Sequence, residues 1–527
     1  MAQFAPSEFS RIPLGQIDAS EFLRIPLQCA EPRSQLSTMP SHSLADFVES
    51  LEQAGELARV EVEVDPELEL ATVTCRAAQA RGPALFFERV KGHHPPVVTN
   101  LLATPGRVFR ALGAESLDEL AERFVLTASP GEAAGWLERF RPGSIFAYAK
   151  QQPKTVRSGV CQQVVKLGRD VDLAEWPALR SWPTEPRRSI TAGVVLTVDP
   201  ETGQRSLAMP PLEIIDRNRL AVGWHRYHAA SRHLAGCRTG AKQLPVAVVL
   251  GGDPALVVTA AAPLPADADR YLFAGLLRGK PLEVVKCRSH ELEVPADTEI
   301  VIEGFVDPAE PLSTIGPAGH VGGYYSLAAP ASTLHVTAVT QRTNPIFPAM
   351  VAGPPPNETS AIGRVIERLW LPLVRQALPE LVDYTLAEAA GPGKLCIASI
   401  RKSFPHHARK AASALWGLDA LMHTKWLVIV DADVAVQDTE AVFLAIGANV
   451  HPGRDVFFHD APPHPHDHAA PPLSAGSAGC IDATAKLPEE HDGPWPERLV
   501  ASREIVELVQ TRWEQYGLGS WPAKPTT

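Results

Sequence analysis

The chain of 527 residues is too long for one hydrophobic core, because single cores stop growing near roughly 250–300 residues, so two or three domains are expected. Its 45% hydrophobic and 21% charged residues are those of a globular protein, not a disordered one. A net charge of −11 without any long basic run argues against nucleic acid or an anionic membrane as partner and favours a small molecule.

Residues 1–40 form an N-terminal arm that repeats one motif, SEFSRIPL from Ser7 and SEFLRIPL from Ser20. Two copies are too few for a solenoid, which leaves a loosely held arm or a docking peptide for a neighbouring subunit. The arm lacks the basic-then-apolar pattern of a secretory leader, and no run of about 18 apolar residues follows, so a cytoplasmic protein without a membrane span is expected.

An α/β domain is expected over 41–155. Ser43 can cap a helix with apolar positions Leu44, Phe47, Val48 and Leu51, and Gly55 stops it. Alternation over 58–64 predicts a strand, and 83–90 a second. Over 156–345 the runs ITAGVVLTV, LPVAVVLGGDP, LEVVKC, TEIVIEGFV and STLHVTAVT, divided by turns, predict a barrel or barrel-like sheet whose loops make a site. From 346 to 490 helix and strand alternate again, with helices over 358–378 and 407–422 and strands KLCIASI and KWLVIVDADV, as in an open α/β sheet. In 491–527 a helix over 498–516 repeats apolar residues at Ile505, Val509 and Trp513, a face suited to another subunit.

The seven cysteines are odd in number, scattered and without a CxxC pair, so buried free thiols are expected. His459, His464, His466 and His468 cluster in a Pro-dominated stretch that suits a flexible segment better than a metal site. Asp431 and Asp433 end a strand and fit a structural role better than a catalytic pair.

The stretch STIGPAGHVGGYYS, residues 313–326, has the Gly, Pro and Tyr spacing of a tight loop held against a ligand, yet contains no carboxylate. His320 is its one ordinary acid–base group, with an unperturbed pKa near ~6.5; a hydrogen-bonded structural histidine is the competing reading. Tyr324 and Tyr325 follow it, as substrate-orienting rings or as core anchors.

The markers LEQAGEL, GPALFFERVKG, PVVTNLL, ITAGVVLTVDPETG, YLFAGLLRGKPLEVVKC, LEVPADTEIVIEGFVDP, GPAGHVGGYYS, ELVDYTL and TKWLVIVDADV, in this order over residues 43–490, resemble the UbiD-type reversible decarboxylases, which typically use prenylated FMN. The resemblance implies an N-terminal α/β domain, a central split β-barrel holding the flavin, and a C-terminal α/β oligomerisation domain. It implies non-oxidative decarboxylation of an aromatic, heteroaromatic or α,β-unsaturated carboxylic acid, a homodimer or homohexamer, and a flavin prenyltransferase as cofactor supplier.

The positions that carry chemistry in this family are altered here. Where its NxGxYRxQ-like segment has Asn and Arg, this chain has Ser206 and Pro211. Where its ligand loop has two carboxylates, Ile315 and His320 stand. The Arg and Glu of an ion pair are exchanged together for apolar residues, which suggests a reshaped pocket, since stranding one half of a buried pair costs about 3–5 kcal/mol.

The family's divalent metal would be held at positions occupied by Ser206, Tyr227 and Arg270, and a guanidinium cannot ligate a cation. His228, one residue along, would supply imidazole without restoring the acidic ligand. Arg270 is instead a candidate phosphate anchor, or a side chain reaching to solvent. Glu213 lies on the same strand face as Pro211 and is a candidate substitute charge. Thr191, Ala262, Pro263 and Lys402 fall where the family wraps the flavin. The open alternatives are a repurposed, cofactor-free or differently flavin-dependent lyase or isomerase, and a non-catalytic partner of an intact relative.

Overall fold

The computed structural model describes residues 42–117, 119–121, 151–240, 242–266, 268–391, 393–462, 467–470, 476–493, 495–497, 499 and 501–519. The SEFxRIPL repeat, His464 and His466 lie outside them.

Helix Leu44–Gln53 begins as its sequence predicts: the Ser43 hydroxyl accepts from the Asp46 N–H at 3.1 Å, and Leu44, Phe47, Val48 and Leu51 are buried. Strands Leu57–Val64 and Ala84–Val90 pair in parallel, and Val97–Thr99 and Phe347–Pro348 extend them to four strands. The chain thus returns to its first sheet some 250 residues later in sequence, which ties the N-terminal unit to the end of the central one.

The central unit is a nine-stranded sheet. Its main path runs Arg205–Ala208, Val194–Val198, Leu244–Leu250, Ile300–Val306, Ala329–Gln341, Arg219–Val222 and Leu212–Asp216, and Ser313–Ile315 and Val164–Leu167 also pair with the long strand Ala329–Gln341. The two edge strands, Arg205–Ala208 and Leu212–Asp216, are consecutive in sequence, separated by Met209, Pro210 and Pro211. Prolines cannot donate to a ladder, so the connection does not pair and the sheet stays open there. No closed barrel forms among the described residues; the barrel-like expectation holds only as far as this strongly wrapped open sheet.

Helices Ala255–Ala261 and Arg270–Arg278 pack on the edge strand Arg205–Ala208. With Ala229–Thr239 they make the middle more helical than its run of β-type segments predicts. The local signals are present: Asp269 accepts from the Tyr271 and Leu272 N–H groups as an N-cap, and Gly279 takes the left-handed conformation at the C-terminus.

The C-terminal unit has a five-stranded mixed sheet, in the order Leu381–Leu386, Leu395–Ile400, Trp426–Asp431, Gly476–Asp482 and Val456–Ala461. Helix Glu358–Ala377 enters it through an Asn357 capping box. The helix expected over 407–422 stops at Trp416, where Gly417 caps it. The last helix is Arg503–Thr511, continued by a 3₁₀ turn at Trp513–Tyr516, and its Ile505 and Leu508 are exposed.

Two glycines separate tight from loose packing. A Cβ on Gly304 would meet the His335 carbonyl oxygen at 2.0 Å, within a β-bulge, whereas one on Gly363, in helix Glu358–Ala377, would meet nothing within 4 Å. Gly304→Ala is expected to lower unfolding stability by about 3 kcal/mol, and Gly363→Ala to raise it by about 0.5–1 kcal/mol, both measured by denaturant titration.

Candidate active site

The loop at 313–326 leaves the strand Ser313–Ile315 through Gly316, which has positive φ (+80°), and a cis peptide to Pro317. Ile315 is buried against Ala221 and Ala331. A Cβ on Gly223 would stand 3.4 Å from Ile315 Cδ1 and 3.5 Å from Pro211 Cδ, and the Gly223 N–H donates to the Pro211 carbonyl at 3.0 Å. Pro211 and Ile315 therefore meet across Gly223 as an apolar contact.

Charge is present immediately behind that contact. Glu213 is buried, and its Oε1 accepts from the Gly316 N–H at 2.6 Å. Its Oε2 accepts from Arg187 Nε and Nη2 at 3.1 and 2.9 Å, and the same guanidinium donates to the Thr314 carbonyl. A second carboxylate, Glu185, accepts from the Gly319 N–H at 2.9 Å and from the Ser181 and Trp182 N–H groups. The loop has no carboxylate of its own, and two reach its backbone from elsewhere. Segment 182–188, reading WPTEPRR, supplies Glu185 and Arg187.

Trp182 floors the turn: a Cβ on Gly319 would fall 2.0 Å from its Cδ1, and its indole N–H donates to the Ala352 carbonyl at 2.8 Å. The half-buried His320 accepts the Gly322 N–H on Nδ1 at 3.1 Å, which leaves the proton of the neutral ring on Nε2. A Cβ on Gly322 would lie 3.5 Å from that Nδ1 and 3.2 Å from Lys394 Nζ. Tyr325 is partly exposed, with its hydroxyl oxygen accepting from the Thr184 N–H at 3.3 Å, and the Tyr324 ring stacks on His468 at 4.4 Å.

The residues expected at a cofactor divide. Ser206 is buried on the edge strand against which the helices following Pro254 and Asp269 pack; Ala262 and Pro263 follow the first, and Arg270 begins the second. Arg270 Nη2 donates to the Leu264 carbonyl at 3.1 Å, closing that turn. Thr191 Oγ1 accepts from the Met350 N–H at 3.1 Å, beside a small pocket of about 40 Å³ that also meets the GGDP turn, Ala192 and Glu358. Lys402 stands apart from this group: its ammonium reaches Glu490 at 2.5 Å, Thr484 Oγ1 at 3.0 Å and the Ala485 carbonyl at 3.1 Å, all in the C-terminal unit. Its three donors are thereby occupied away from the loop. A larger cleft of about 240 Å³ lies in that same unit, around Arg409, Arg454 and Lys486, and includes none of the loop residues.

Tyr227 sits between the rings of His225 at 4.8 Å and His423 at 4.6 Å. His228 Nδ1 accepts from the His225 N–H at 3.1 Å. Burial, with His228, Arg226 and His423 nearby, pushes His225 down to about 4, and burial lowers His228 as well. Ser206, Tyr227 and Arg270 are a poor donor set for a divalent cation, because no carboxylate is among them and the guanidinium repels it. The family's metal does not fit these residues. Beside Tyr227, Trp224 Nε1 and His225 Nδ1 are buried without a hydrogen-bond partner among the described residues, an arrangement that costs about 1–3 kcal/mol each.

The chain matches three family models: the 3-octaprenyl-4-hydroxybenzoate carboxy-lyase N-terminal domain over residues 48–124, the Rift-related domain over 154–355 and the C-terminal domain over 360–483. It belongs to the UbiD family. An uncharacterized protein of Aquifex aeolicus is 38% identical over 479 residues, covering 90% of this chain and 98% of the relative, and one of Synechocystis is 35% identical over 91% and 97%.

Among solved UbiD structures, the vanillic acid decarboxylase of Sedimentibacter hydroxybenzoicus in its closed form is 26% identical, with TM-score 0.80 over 90% of this chain and 99% of that one. Its open form gives 0.73 over 91% and 100%. The UbiD-class enzyme HmfF of Pelotomaculum thermopropionicum in complex with FMN is 27% identical, with TM-score 0.72 over 89% and 100%. The chain is thus a multidomain α/β protein of the UbiD carboxy-lyase fold, and no helix among the described residues is long and apolar enough to cross a membrane.

Arg187, Glu185 and Lys394 were not found from the sequence. The WPTEPRR stretch is a local signal, with two charges between prolines beside the ITAGVV strand, but its link to Glu213 and Gly319 is made only in three dimensions.

Two measurements follow. Arg187→Ala is expected to cost about 3 kcal/mol of stability, because it leaves the Glu213 carboxylate buried and unpaired; a double-mutant cycle with Glu213→Leu should give a coupling energy of about 1–3 kcal/mol. Glu358 accepts from the Leu102 N–H at 3.0 Å, and its complete burial raises it to about 7. A carboxyl whose folded pKa exceeds its unfolded value withholds stability above the folded pKa and returns it as pH falls towards the unfolded one. Glu358→Gln should therefore stabilise the protein more at pH 8 than at pH 5, as read from denaturation midpoints.

Proposed function

We propose that this protein is a carboxy-lyase that removes carbon dioxide non-oxidatively from an aromatic, heteroaromatic or α,β-unsaturated carboxylic acid, at a site built from the 313–326 loop and the apolar wall of Pro211, Gly223 and Ile315. Support comes from family membership, from the likeness to a decarboxylase and to a flavin-bound relative, and above all from the Arg187–Glu213 pair. That pair keeps an Arg–carboxylate couple at the loop although both family positions for it are apolar.

Prenylated FMN, or FMN, is the cofactor this reading requires, and it would supply the sink for the electron pair left when the carboxyl carbon departs. Ser206, Ala262, Pro263 and Arg270 would surround it, with Arg270 on its phosphate in place of a metal. A guanidinium fork suits phosphate oxygens directly.

The protein's own residues then have distinct tasks. The apolar wall keeps water from the carboxylate, and the charge of a carboxylate spreads as carbon dioxide forms, so exclusion of water favours the transition state over the ground state. His320 serves as proton donor in its imidazolium form and is left as the neutral ring once the proton passes to the carbon that lost the carboxyl group, a product that the Gly322 N–H donated to Nδ1 favours. Lys394 places a cation near that ring, Glu213 and Glu185 hold the loop backbone in register, and Tyr325 borders the entry. The domains would divide as the family does, near residues 155 and 345, with assembly into a homodimer or homohexamer through the C-terminal unit, and with a cytoplasmic flavin prenyltransferase as supplier.

The test is co-expression with a flavin prenyltransferase, followed by the visible spectrum, native mass and carbon dioxide release from acids of the three classes. A coloured protein carrying one flavin and releasing carbon dioxide is expected, with His320→Ala lowering turnover by about 10²–10⁴-fold at unchanged flavin occupancy. A colourless protein without added mass would exclude flavin chemistry and favour the cofactor-free or partner-subunit alternative.

A further inference from the structure

Away from the loop, the hairpin Glu283–Lys286 and Glu293–Pro295 turns through Cys287, Arg288, Ser289 and His290 beside the central strand Ile300–Val306. One ligand atom from each of Cys287, His290 and Glu303 lies within 4.8 Å of the others. Cys287 and Glu303 are buried, the latter with no exposure at all. The His290 ring uses one nitrogen on the backbone, with Nε2 at 3.1 Å from the Val246 carbonyl oxygen, so Nε2 bears the proton and Nδ1 carries the lone pair. That Nδ1 is buried and has no protein partner.

The Glu303 carboxylate accepts from the Arg288 and Ser289 N–H groups at 2.7 to 3.0 Å and from the Ser289 hydroxyl at 2.9 Å. No cationic side chain among the described residues forms an ion pair with it. A fully buried carboxylate without a cationic partner, a buried thiol and an imidazole lone pair without a hydrogen bond among the described residues thus share one small volume.

We propose that Cys287, His290 and Glu303 bind a zinc-class divalent cation that pins the hairpin tip to the central sheet. Sulfur and imidazole ligands select a thiophilic ion over magnesium or calcium. The carbonyl on Nε2 is the outer partner that orients a metal-binding histidine. Binding displaces the thiol proton to solvent, M²⁺ + Cys–SH + Glu–COO⁻ giving (Cys–S)M(OOC–Glu) + H⁺, and the site becomes neutral with one thiolate and one carboxylate.

Tetrahedral bonds of ~2.0–2.3 Å set ligand atoms roughly 3.3–3.8 Å apart, so side-chain rotation closes the set by about 1 Å. A water fills the fourth position. The C-x-x-H spacing from Cys287 to His290 is the sequence trace of the site, and nothing in it depends on the decarboxylase reading.

The full chain, stripped with a chelator and desalted, is reloaded with zinc or with cobalt(II) alone. Retention of zinc at one equivalent through desalting is expected, together with a thiolate-to-cobalt charge-transfer band, which an oxygen and imidazole site elsewhere cannot produce. Cys287→Ser and His290→Gln should each lower retained zinc about tenfold and abolish the band, while Cys75→Ser, at a half-buried thiol elsewhere, leaves both unchanged. Wild-type protein without retained zinc, zinc retention without a cobalt band, or a band that persists in Cys287→Ser would each overturn the site. The first two readings need no variant and hold even where a substitution prevents folding.

Discussion

The Glu213 carboxylate is the point on which the ligand loop depends. It is almost fully buried, and its two oxygens face different obligations: one takes the Gly316 N–H at the loop's first bend, the other takes Arg187. A buried carboxylate is tolerated only with such partners, since an uncompensated one costs several kcal/mol. The backbone of 313–326 is therefore positioned by a charge that must itself be held, and Arg187 in turn reaches back to Thr314, so the edge strand Leu212–Asp216, segment 182–188 and the loop close on one another.

The Arg187–Glu213 pair thus holds the loop beside the apolar contact of Pro211, Gly223 and Ile315. Pro211 suits that place because its N–H is not needed at a sheet edge, and Gly223 suits it because any side chain there would press on both Pro211 and Ile315. Glu185 repeats the device at Gly319, where close contact with Trp182 leaves room for no side chain.

Much of the fold was legible because its elements carry strong local signals. The Ser43 cap, the alternation over 58–64 and the Asn357-capped amphipathic helix state their structures within a dozen residues. The bend of the loop at 313–326 was legible in its Gly and Pro spacing for the same reason, and Glu213 was singled out by strand alternation alone. What was not legible depends on contacts far apart in sequence: Arg187 with Glu213 across 26 residues, Glu185 with Gly319 across 134. Lys394 approaches His320 only once the C-terminal unit folds against the loop. Lys402 illustrates the converse, a lysine placed correctly in the chain whose donors are consumed by Thr484, Ala485 and Glu490, partners no local pattern announces.

The site is completed across two units, and the strength of that completion sets how easily it opens. The central unit offers Tyr227, His320 and Tyr324; the C-terminal unit meets them with His423, Lys394 and His468. Ring pairs of this kind contribute about 0.5–1.5 kcal/mol each beyond the area they bury, and the half-buried Lys394 near a histidine adds no ion pair among the described residues. Together they hold the two units against each other by only a few kcal/mol, so a ligand touching both the loop and the C-terminal unit would need only a small differential affinity to shift how the units meet.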